Sequence, residues 1–518
     1  MKRDLLTEAD IRQLEAAGIS PDKARSQIGF LRKGVKPVRL DRPCTVGDGI
    51  IAIDEKEQGK LAALHDEAAR SGRAMKFVPA SGAASRMFTR WHSALAKDDF
   101  AETARAREFT ENLHKLAFFQ DLSKAISRHG EDIDALLKEG RFSHILTYIL
   151  TSKGLNYGHI PKALLKFHNY PEGSRTALEE HLVETALYTA DDKKTCRIHF
   201  TVSEEHIRET AQFITKIKDE YEKSLGVTFQ IGFSPQHISS HTIALEGESL
   251  YRDQSERLTL RPGGHGALLK NLNDLEGDII FVKNIDNVVP DRLKPVTAFF
   301  KKVLGGYLLS LQEEIFGHLQ TLTKGDVADD AAFEAKIFCQ NKLRMVLPSE
   351  FEALSPPQQR KLIVNKLNRP LRVCGIVKNE GEPGGGPFWV DDGGEQSLQI
   401  IEYQQIDAKS DEQKSIWSAS THFNPVDLVC GVRDYQSRKF DLPLFADPSA
   451  ITLSNKNEKG RHIRVLEHPG LWNGSMSFWN TVFVEVPNIT FNPVKTIDDL
   501  LRPQHLPDSP DSTSADMS

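Results

Sequence analysis

The chain has 518 residues, of which 39% are apolar and 27% charged, and its net charge is −6. The length predicts about three domains, and the acidic balance excludes a general attraction to nucleic acid or to an anionic membrane. No apolar run approaches the ~20 residues that span a bilayer, no signal-peptide region opens the chain, and five cysteines without a CxxC pair indicate a reducing cytoplasm.

The first predicted region, residues 1–74, is helical in pattern. Thr7 can cap a first helix, and Ser20 followed by Pro21 can open a second. After this region the pattern changes to short apolar runs that alternate with loops and helical stretches, at 76–80, 197–202, 227–233 and 278–284. Apolar strands that alternate with helices are typical of a parallel sheet, so residues 75–292 predict an α/β core.

Helical segments interrupt and follow this core. Residues 90–150 predict a helical insertion, and residues 293–370 predict a helical subdomain. Strand-like runs return over residues 371–503, and the polar, proline-bearing stretch 504–518 predicts a disordered tail. The expected fold is α/β, with a mixed, mostly parallel sheet flanked by helices, helical insertions and a β-rich C-terminal part.

One candidate site segment is the loop after the first apolar run, with the sequence FVPASGAASRMF at 77–88. Its small residues let backbone amides approach a phosphate, a following helix start adds a favourable dipole, and Arg86 supplies a fixed charge. A tight packing turn between strand and helix explains the same residues equally well.

Two lysines are candidates for phosphate contacts. Lys162 follows Pro161 and precedes an apolar stretch, so its ammonium could be fixed at a strand or helix edge. Lys495 lies between a strand-like run and Thr496, which can cap a helix start. A solvated surface lysine is the alternative for both.

The most informative stretch is 261–289. It begins with the turn Pro-Gly-Gly-His-Gly at 262–266, a backbone-dense loop suited to lying against a flat base or a phosphate. About twenty residues later a strictly apolar strand leads to Asp286. Ligands gather beyond the carboxyl ends of parallel strands, and Mg²⁺ prefers one or two carboxylates with phosphates and water, so Asp286 is a candidate metal ligand. The alternative is a turn formed by Asp286 and Asn287.

In this order the segments resemble the UDP-sugar pyrophosphorylase group, which includes UDP-glucose and UDP-N-acetylglucosamine pyrophosphorylases. The loop at 77–88 is similar to the group's glycine-rich signature, and HIPKALLKF at 159–167 is similar to its proline-lysine motif. Three further segments resemble its nucleotide-binding loop, metal-binding strand and late phosphate-binding lysine motif: PGGHG, FVKNIDNV and FNPVKTIDDLL. LQIIEYQQID resembles the Glu-Tyr segment that faces the sugar. The whole chain also resembles an uncharacterised bacterial family known only as a domain of unknown function.

The resemblance implies a nucleotidyltransferase that joins a nucleoside triphosphate, UTP for preference, to a sugar 1-phosphate. It implies catalytic roles for Arg86 on the leaving phosphates, Lys162 at the α-phosphate and Lys495 on the sugar phosphate, with Mg²⁺ on Asp286. The implied nucleotide contacts are Ser81, Gly82, Ser85, Gln236, Gly263, Gly264, His265 and Gly266, and the implied sugar contacts are Glu402 and Asn424.

Two features depart from the group's pattern. Ala83 and Ala84 occupy positions where glycine would ease backbone approach, which leaves open a non-catalytic sensor of nucleotides or sugar phosphates. The glycine-rich stretch 379–389 has no counterpart and could be a loop over the site or a connector. A metal-dependent glycosyltransferase on the same kind of core is a further alternative, although such enzymes usually hold the metal through an Asp-x-Asp element and this segment offers one acid.

Overall fold

The computed structural model describes residues 5–82, 84–97, 109–324, 329–381, 384–458 and 460–507. Its α-helices, in chain order, are α1 (Glu8–Ala16), α2 (Pro21–Lys33), α3 (Glu55–Arg70), α4 (Thr89–Lys97), α5 (Phe119–Ser127), α6 (Ile133–Lys138), α7 (Phe142–Leu150), α8 (Ala177–Ala186), α9 (Ile207–Leu225), α10 (Leu268–Asn273), α11 (Lys294–Leu322), α12 (Asp329–Asn341), α13 (Pro356–Leu367) and α14 (Asp411–Ser418). Its strands are β1 (Leu40–Pro43), β2 (Thr45–Val46), β3 (Gly49–Ile51), β4 (Ala74–Pro79), β5 (Lys166–Tyr170), β6 (Gly173–Thr176), β7 (Thr195–Thr201), β8 (Thr228–Ser234), β9 (Ala244–Glu246), β10 (Ser249–Leu250), β11 (Ile279–Lys283), β12 (Leu371–Lys378), β13 (Gly386–Asp392), β14 (Glu395–Ile401), β15 (His422–Gly431), β16 (Thr452–Glu458), β17 (Arg461–Glu467) and β18 (Asn480–Glu485).

Local sequence explains where the first helices begin. Thr7 caps α1 through a capping box, in which Thr7 Oγ1 accepts from the Asp10 amide and the Asp10 carboxylate accepts from the Thr7 amide. Ser20 accepts from the Lys23 amide at the start of α2, and Pro21 occupies the first helical position. The predicted starts of both helices are confirmed.

The chain folds into two compact units. The first comprises Met1–Phe77, Gln236–Val282 and Phe300–Asn488, and the second comprises Val78–Pro235, Lys283–Phe299 and Ile489–Ser518. Each unit is therefore built from three separate stretches of the chain, and β4 and α11 each begin in one unit and end in the other.

The first unit holds a large mixed sheet. Its strands follow the order β2-β3-β18-β12-β15-β11-β4. The pairs β2–β3, β3–β18, β18–β12 and β11–β4 are parallel, whereas β12 and β15 are antiparallel. Buried apolar side chains of β11, β12, β15 and β18 pack in one core with those of α10. The predicted mixed, mostly parallel sheet with helices is confirmed.

The second unit combines parallel strands with a helical segment. Strands β7 and β8 pair in parallel along their full lengths. Apolar side chains of β7, α7 and α8 share one core, which also includes an aromatic group formed by Phe88, Trp91, Phe109, Phe118 and Tyr157. Helices α4 to α7 lie in the predicted insertion at 90–150, of which 98–108 lie outside the described residues.

Two stretches differ from the sequence-based expectation. The predicted helical region 1–74 also contains β1, β2 and β3, which are too short to show an alternating pattern. The predicted tail begins at 504, yet His505 is 3% exposed and bonds His168; residues 508–518 lie outside the described chain. Over the residues that are described, no helix combines the length and apolar character needed to cross a membrane.

Two glycines of α11 allow the effect of close helix packing on stability to be measured apart from the effect of helix propensity. An added Cβ at Gly306 would lie 1.9 Å from the Leu61 carbonyl oxygen of α3, whereas at Gly317 nothing lies within 4 Å. We expect Gly306→Ala to lower the free energy of unfolding by about 1–3 kcal/mol, because the two helices must separate. Gly317→Ala should leave it unchanged or raise it by about 0.5–1 kcal/mol. Urea unfolding measures both, and equal effects would contradict this packing.

Candidate functional site

The loop after β4 is fixed by backbone hydrogen bonds within the second unit. The Ala80 amide donates to the Thr201 carbonyl at the end of β7 (2.9 Å). The Gly82 carbonyl accepts from the Lys162 amide (3.3 Å), while the adjacent Ala83 lies outside the described residues. The loop therefore contacts the segment that carries Lys162, although the helical insertion separates the two in sequence.

The loop exposes its predicted ligand residues. Ser81, Gly82 and Arg86 are exposed, and Ser85 is half-buried. Within the described part of the chain, the Arg86 guanidinium has no hydrogen-bond or ion-pair partner. Arg86 is close enough to Lys162 for its charge to contribute to lowering the pKa of that ammonium. An unpaired guanidinium beside exposed small residues is suited to an anionic ligand.

Asp286 lies just beyond the end of β11. The Ile285 amide donates to the Pro79 carbonyl at the end of β4 (3.2 Å), so the carboxyl ends of these strands meet. The Asp286 carbonyl accepts from the Val494 amide (3.0 Å). This bond brings the late lysine segment alongside the strand end.

Three side chains from these segments form a cluster of ion pairs, which we call the Asp286 cluster: Asp286, Lys162 and Lys495. Lys162 Nζ lies 3.0 Å from Asp286 Oδ2 and also donates to the Val494 carbonyl at 3.0 Å. Lys495 Nζ lies 3.1 Å from Asp286 Oδ1 and 3.0 Å from Oδ2. The lysines are 124 and 209 residues from Asp286 in sequence, so the fold brings together three of the predicted site residues.

Burial distinguishes the members of the Asp286 cluster. The side chains of Lys162 and Asp286 are each 10% exposed, whereas that of Lys495 is 55% exposed. Burial lowers the pKa of the Lys162 ammonium, and the attraction of Asp286 offsets this only in part. Burial alone would raise the pKa of the Asp286 carboxyl, but Lys495 and Lys162 outweigh it and hold that pKa below its ordinary value. The carboxylate therefore stays ionised at neutral pH although it is buried.

A capping box holds the backbone at Lys495. The Asp499 carboxylate accepts from the amides of Lys495 (2.8 Å) and Thr496 (2.7 Å) and from Thr496 Oγ1 (3.1 Å). The Ile497 amide donates to the Met87 carbonyl (3.4 Å). The predicted cap at Thr496 is confirmed, and it fixes the backbone from which the exposed Lys495 side chain extends.

A second polar network holds the chain that follows. His168 bonds the Glu180 carboxylate at 2.8 Å and His505 at 2.8 Å, and Lys294 pairs with Glu180 as well. All four side chains are buried. Burial would raise the pKa of the Glu180 carboxyl, but Lys294 and His168 hold it at about 2. This charge-compensated network anchors the segment downstream of Lys495.

The predicted Pro-Gly-Gly-His-Gly loop lies in the first unit. The Gly264 carbonyl accepts from Gln236 Nε2 (2.7 Å), so these two predicted nucleotide contacts touch each other. An added Cβ at Gly266 would lie 1.9 Å from the Pro469 carbonyl oxygen. Close backbone packing is therefore one physical reason for the glycine at this position.

His265 stacks on an aromatic ring that sequence analysis did not single out. Its ring lies 4.1 Å from that of Trp472 with an interplanar angle of 24°, and His265 Nδ1 accepts from the Leu471 amide (3.1 Å). Trp472 also lies near the Glu402 carboxyl. Burial raises the pKa of Glu402, and repulsion from Glu467 adds to the effect. Trp472 thus links the predicted loop to a predicted sugar contact.

Asn424 lies in β15 and is 2% exposed. Its backbone amide donates to the Gly385 carbonyl (2.9 Å). Its side-chain Nδ2 has no hydrogen-bond partner among the residues that the structure describes. An added Cβ at Gly385 would lie 3.4 Å from Glu402 Cγ. Gly385, from the glycine-rich stretch 379–389, therefore lies next to both predicted sugar contacts.

The predicted site residues fall into two sets. Ser81, Gly82, Ser85, Arg86, Lys162, Asp286 and Lys495 lie in the second unit, and Gln236, Gly263, Gly264, His265, Gly266, Glu402 and Asn424 lie in the first. Direct side-chain contacts join the Asp286 cluster within its unit, and in the other unit Trp472 stacks on His265 and lies near Glu402.

Asp286 is the candidate metal ligand. In the described ranges no group of three or more His, Cys, Asp or Glu side chains is arranged to hold a metal ion. Asp286 can contribute one carboxylate, and phosphate oxygens and water would supply the other ligands, as Mg²⁺ prefers. The residues present thus fit a metal that is shared with a phosphate-bearing substrate.

Comparison with protein families decides the membership of this chain. Residues 7–506 match a family described as a domain of unknown function, DUF4301. The chain belongs to this family. The match confirms the resemblance to an uncharacterised domain family. A search of curated proteins finds no significant match for the DUF4301 chain.

Several solved structures are similar to the DUF4301 chain. One is the UDP-N-acetylglucosamine pyrophosphorylase from Trypanosoma brucei, with 14% identity, a TM-score of 0.47, and coverage of 96% of this chain and 79% of that one. A mutant UDP-glucose pyrophosphorylase from Leishmania major has 13% identity, a TM-score of 0.45 and the same coverages. A putative UDP-N-acetylglucosamine pyrophosphorylase from Entamoeba histolytica has 12% identity, a TM-score of 0.42 and coverages of 88% and 83%. These identities are too low to transfer an activity.

Three groups of the DUF4301 chain that lie beside the predicted residues could not be identified from its sequence. They are Trp472, Glu467 and the carbonyl of Val494. Trp472 lies in HPGLWNG at 468–474, whose proline and glycines predict a loop but no partner. A backbone carbonyl carries no signal in sequence at all.

The ionisation of Asp286 gives a pH-dependent prediction for stability. Asp286→Asn leaves the buried Lys162 ammonium without its counter-ion, which costs about 3–5 kcal/mol for a buried pair. The folded-state pKa of Asp286 lies below the ordinary 3.8. Its stabilising contribution is therefore present above pH 3.8 and is lost as the pH falls through the lower folded-state value. Urea unfolding of wild type and variant from pH 7 downwards measures it.

Asp121→Asn is the matched control. Asp121 pairs with Lys166, and their side chains are 35% and 29% exposed, so this change should cost little at any pH. If the difference in the free energy of unfolding between Asp286→Asn and wild type stayed constant as the pH fell, Asp286 would not be the ionised, stabilising group described above.

Proposed function

We propose that this DUF4301 protein is a nucleotidyltransferase that moves a nucleotidyl group, uridylyl for preference, from a nucleoside triphosphate to a sugar 1-phosphate with release of pyrophosphate. One observation carries the proposal. Three motifs that resemble those of UDP-sugar pyrophosphorylases contribute Lys162, Asp286 and Lys495, and both lysines contact the Asp286 carboxylate. Structural packing alone does not require two lysines from distant segments on one buried carboxylate.

The reaction forms a bond between a phosphate oxygen of the sugar phosphate and the α-phosphorus, and it breaks the bond from that phosphorus to the bridging oxygen of pyrophosphate. The attacking oxygen is already anionic, so no general base is needed. Catalysis then depends on alignment and on neutralising negative charge. The Asp286 cluster and Arg86 supply fixed positive charge of this kind.

Each cation has a role that agrees with its surroundings. Lys162 is buried and held at both Asp286 and Val494, which suits a fixed contact to the α-phosphate. Arg86 is exposed at the loop and would hold the leaving phosphates, and Lys495 would hold the sugar phosphate. Mg²⁺ on Asp286 would supply charge neutralisation of the phosphate oxygens.

The first unit carries the proposed contacts for base and sugar. The loop at 263–266 and Gln236 would line the nucleotide, where the neutral His265 can donate a hydrogen bond. Glu402 accepts hydrogen bonds and Asn424 Nδ2 is a buried donor without a partner in the described chain, so both suit sugar hydroxyls.

The proposal is tested by pyrophosphate release from nucleoside triphosphates mixed with a panel of sugar 1-phosphates and Mg²⁺. We expect turnover with UTP and at least one sugar 1-phosphate. Asp286→Asn and Lys162→Met should each lower kcat/KM by about 10²–10³, the usual effect of removing one preorganised charge. Asp121→Asn should retain full activity, because its ion pair with Lys166 lies outside the Asp286 cluster.

The outcomes separate the proposal from its alternatives. Binding of nucleotide and sugar phosphate without turnover by folded wild type would indicate a sensor, and sugar transfer from a nucleotide sugar would indicate a glycosyltransferase. Pyrophosphate exchange by Asp286→Asn at the wild-type rate would reject the metal role of that carboxylate.

Gly82 offers a test of the phosphate loop that spares the fold. An added Cβ at Gly82 would meet nothing within 4 Å, so Gly82→Ala should leave the melting temperature unchanged. The methyl group would face a phosphate that approaches the loop amides, and we expect KM for the triphosphate to rise by about tenfold or more. Gly29→Ala in α2, where an added Cβ also meets nothing, is the control and should leave KM unchanged. An unaltered KM in Gly82→Ala would exclude this loop from phosphate binding.

A further inference from the structure

The carboxylate of Asp286 is largely engaged by the two lysines. Oδ1 accepts from Lys495, and Oδ2 accepts from both Lys495 and Lys162. A carboxylate offers about four acceptor positions, of which three are therefore used. A cation that binds Asp286 directly must come close to an ammonium group or displace one.

Lys495 is the lysine that can leave. Lys162 is 10% exposed and also bonds the Val494 carbonyl, so its release would uncover a buried charge. Lys495 is 55% exposed, and in the described chain both acceptors of its ammonium belong to Asp286. Its backbone is fixed by Asp499, so rotation of the side chain alone would free the carboxylate.

The charges around the carboxylate disfavour a free metal ion. Two ammonium groups contact the carboxylate, and the charge of Arg86, which acts on Lys162, has no anionic partner in the described residues. Such a field repels a divalent cation and attracts a polyphosphate. A metal already bound to a triphosphate carries negative charge with it, and the phosphate oxygens give Lys495 new acceptors.

We propose that Lys495 shields Asp286 from free divalent cations and releases it only when a polyphosphate offers other acceptors. A divalent cation then reaches Asp286 together with the nucleotide rather than before it. This order of binding rests on the proposed function, whereas the shielding is a property of the protein without substrate and can be measured separately.

The test uses Mn²⁺ alone, added to the full chain without nucleotide, with free Mn²⁺ measured by electron paramagnetic resonance. We expect weak binding by wild type and a dissociation constant lower by about tenfold or more in Lys495→Gln, because a charge adjacent to the divalent ion is removed. Lys495→Arg keeps the charge and should bind as weakly as wild type. The gain should disappear in the double variant Lys495→Gln/Asp286→Asn.

Lys166→Gln is the matched control. Lys166→Gln frees Asp121 from a comparable ion pair in the same unit and should not create Mn²⁺ binding. Thermal melting checks that each variant is folded. Because the Lys495 side chain is exposed, its replacement should leave the fold intact. Equal Mn²⁺ affinity in wild type and Lys495→Gln, a gain that persists in the double variant, or an equal gain in Lys166→Gln would each overturn the shielding. Because no substrate is present, none of these results depends on whether the protein transfers nucleotidyl groups.

Discussion

A buried carboxylate that must stay ionised constrains the whole second unit. The Asp286 side chain is 10% exposed, and the two ammonium groups that contact it compensate the cost of burying its charge. Those ammonium groups come from segments far apart in sequence, so the fold must hold three backbones in place at once. It does so with main-chain hydrogen bonds from Lys162 to Gly82 and from Val494 to Asp286. The hydrogen bonds that hold these backbone segments at the strand ends therefore also hold the Asp286 cluster together.

This arrangement tolerates the long helical segment within it. Residues 90–150 leave the site after the loop and return just before Lys162, and the entropic cost of closing such an excursion grows only slowly with its length. The excursion also contributes its own apolar surface, since α7 packs in the same core as β7.

The C-terminal segment is held differently. It has little regular structure, so the capping box at Thr496 and the buried contact between His168 and His505 fix it in place of a helix or strand ladder.

The parts that sequence could predict are those with a strong local signal. Apolar runs gave the positions of β4, β7, β8 and β11, and Asp286 could be proposed because it follows one of these strands directly. Burial of His505 could not be predicted, because the segment around it has no periodic apolar pattern and its partner His168 lies more than three hundred residues away. The contact of Trp472 with His265 depends on two loops that meet only in the folded chain. Long-range contacts between loops carry no periodicity, which explains why the strands were foreseen and these partners were not.

The two units carry polar groups of different kinds, uncharged at His265 and charged in the Asp286 cluster. His265 accepts a hydrogen bond from the Leu471 amide at Nδ1, so a neutral ring carries its hydrogen on Nε2, and burial lowers the pKa of this ring to about 4. The ring is therefore an uncharged donor at neutral pH. The Asp286 cluster, in contrast, retains lysine charges close to one carboxylate and an unpaired Arg86. An uncharged donor selects a ligand by the geometry of its hydrogen bonds, whereas fixed positive charge attracts anions such as phosphates.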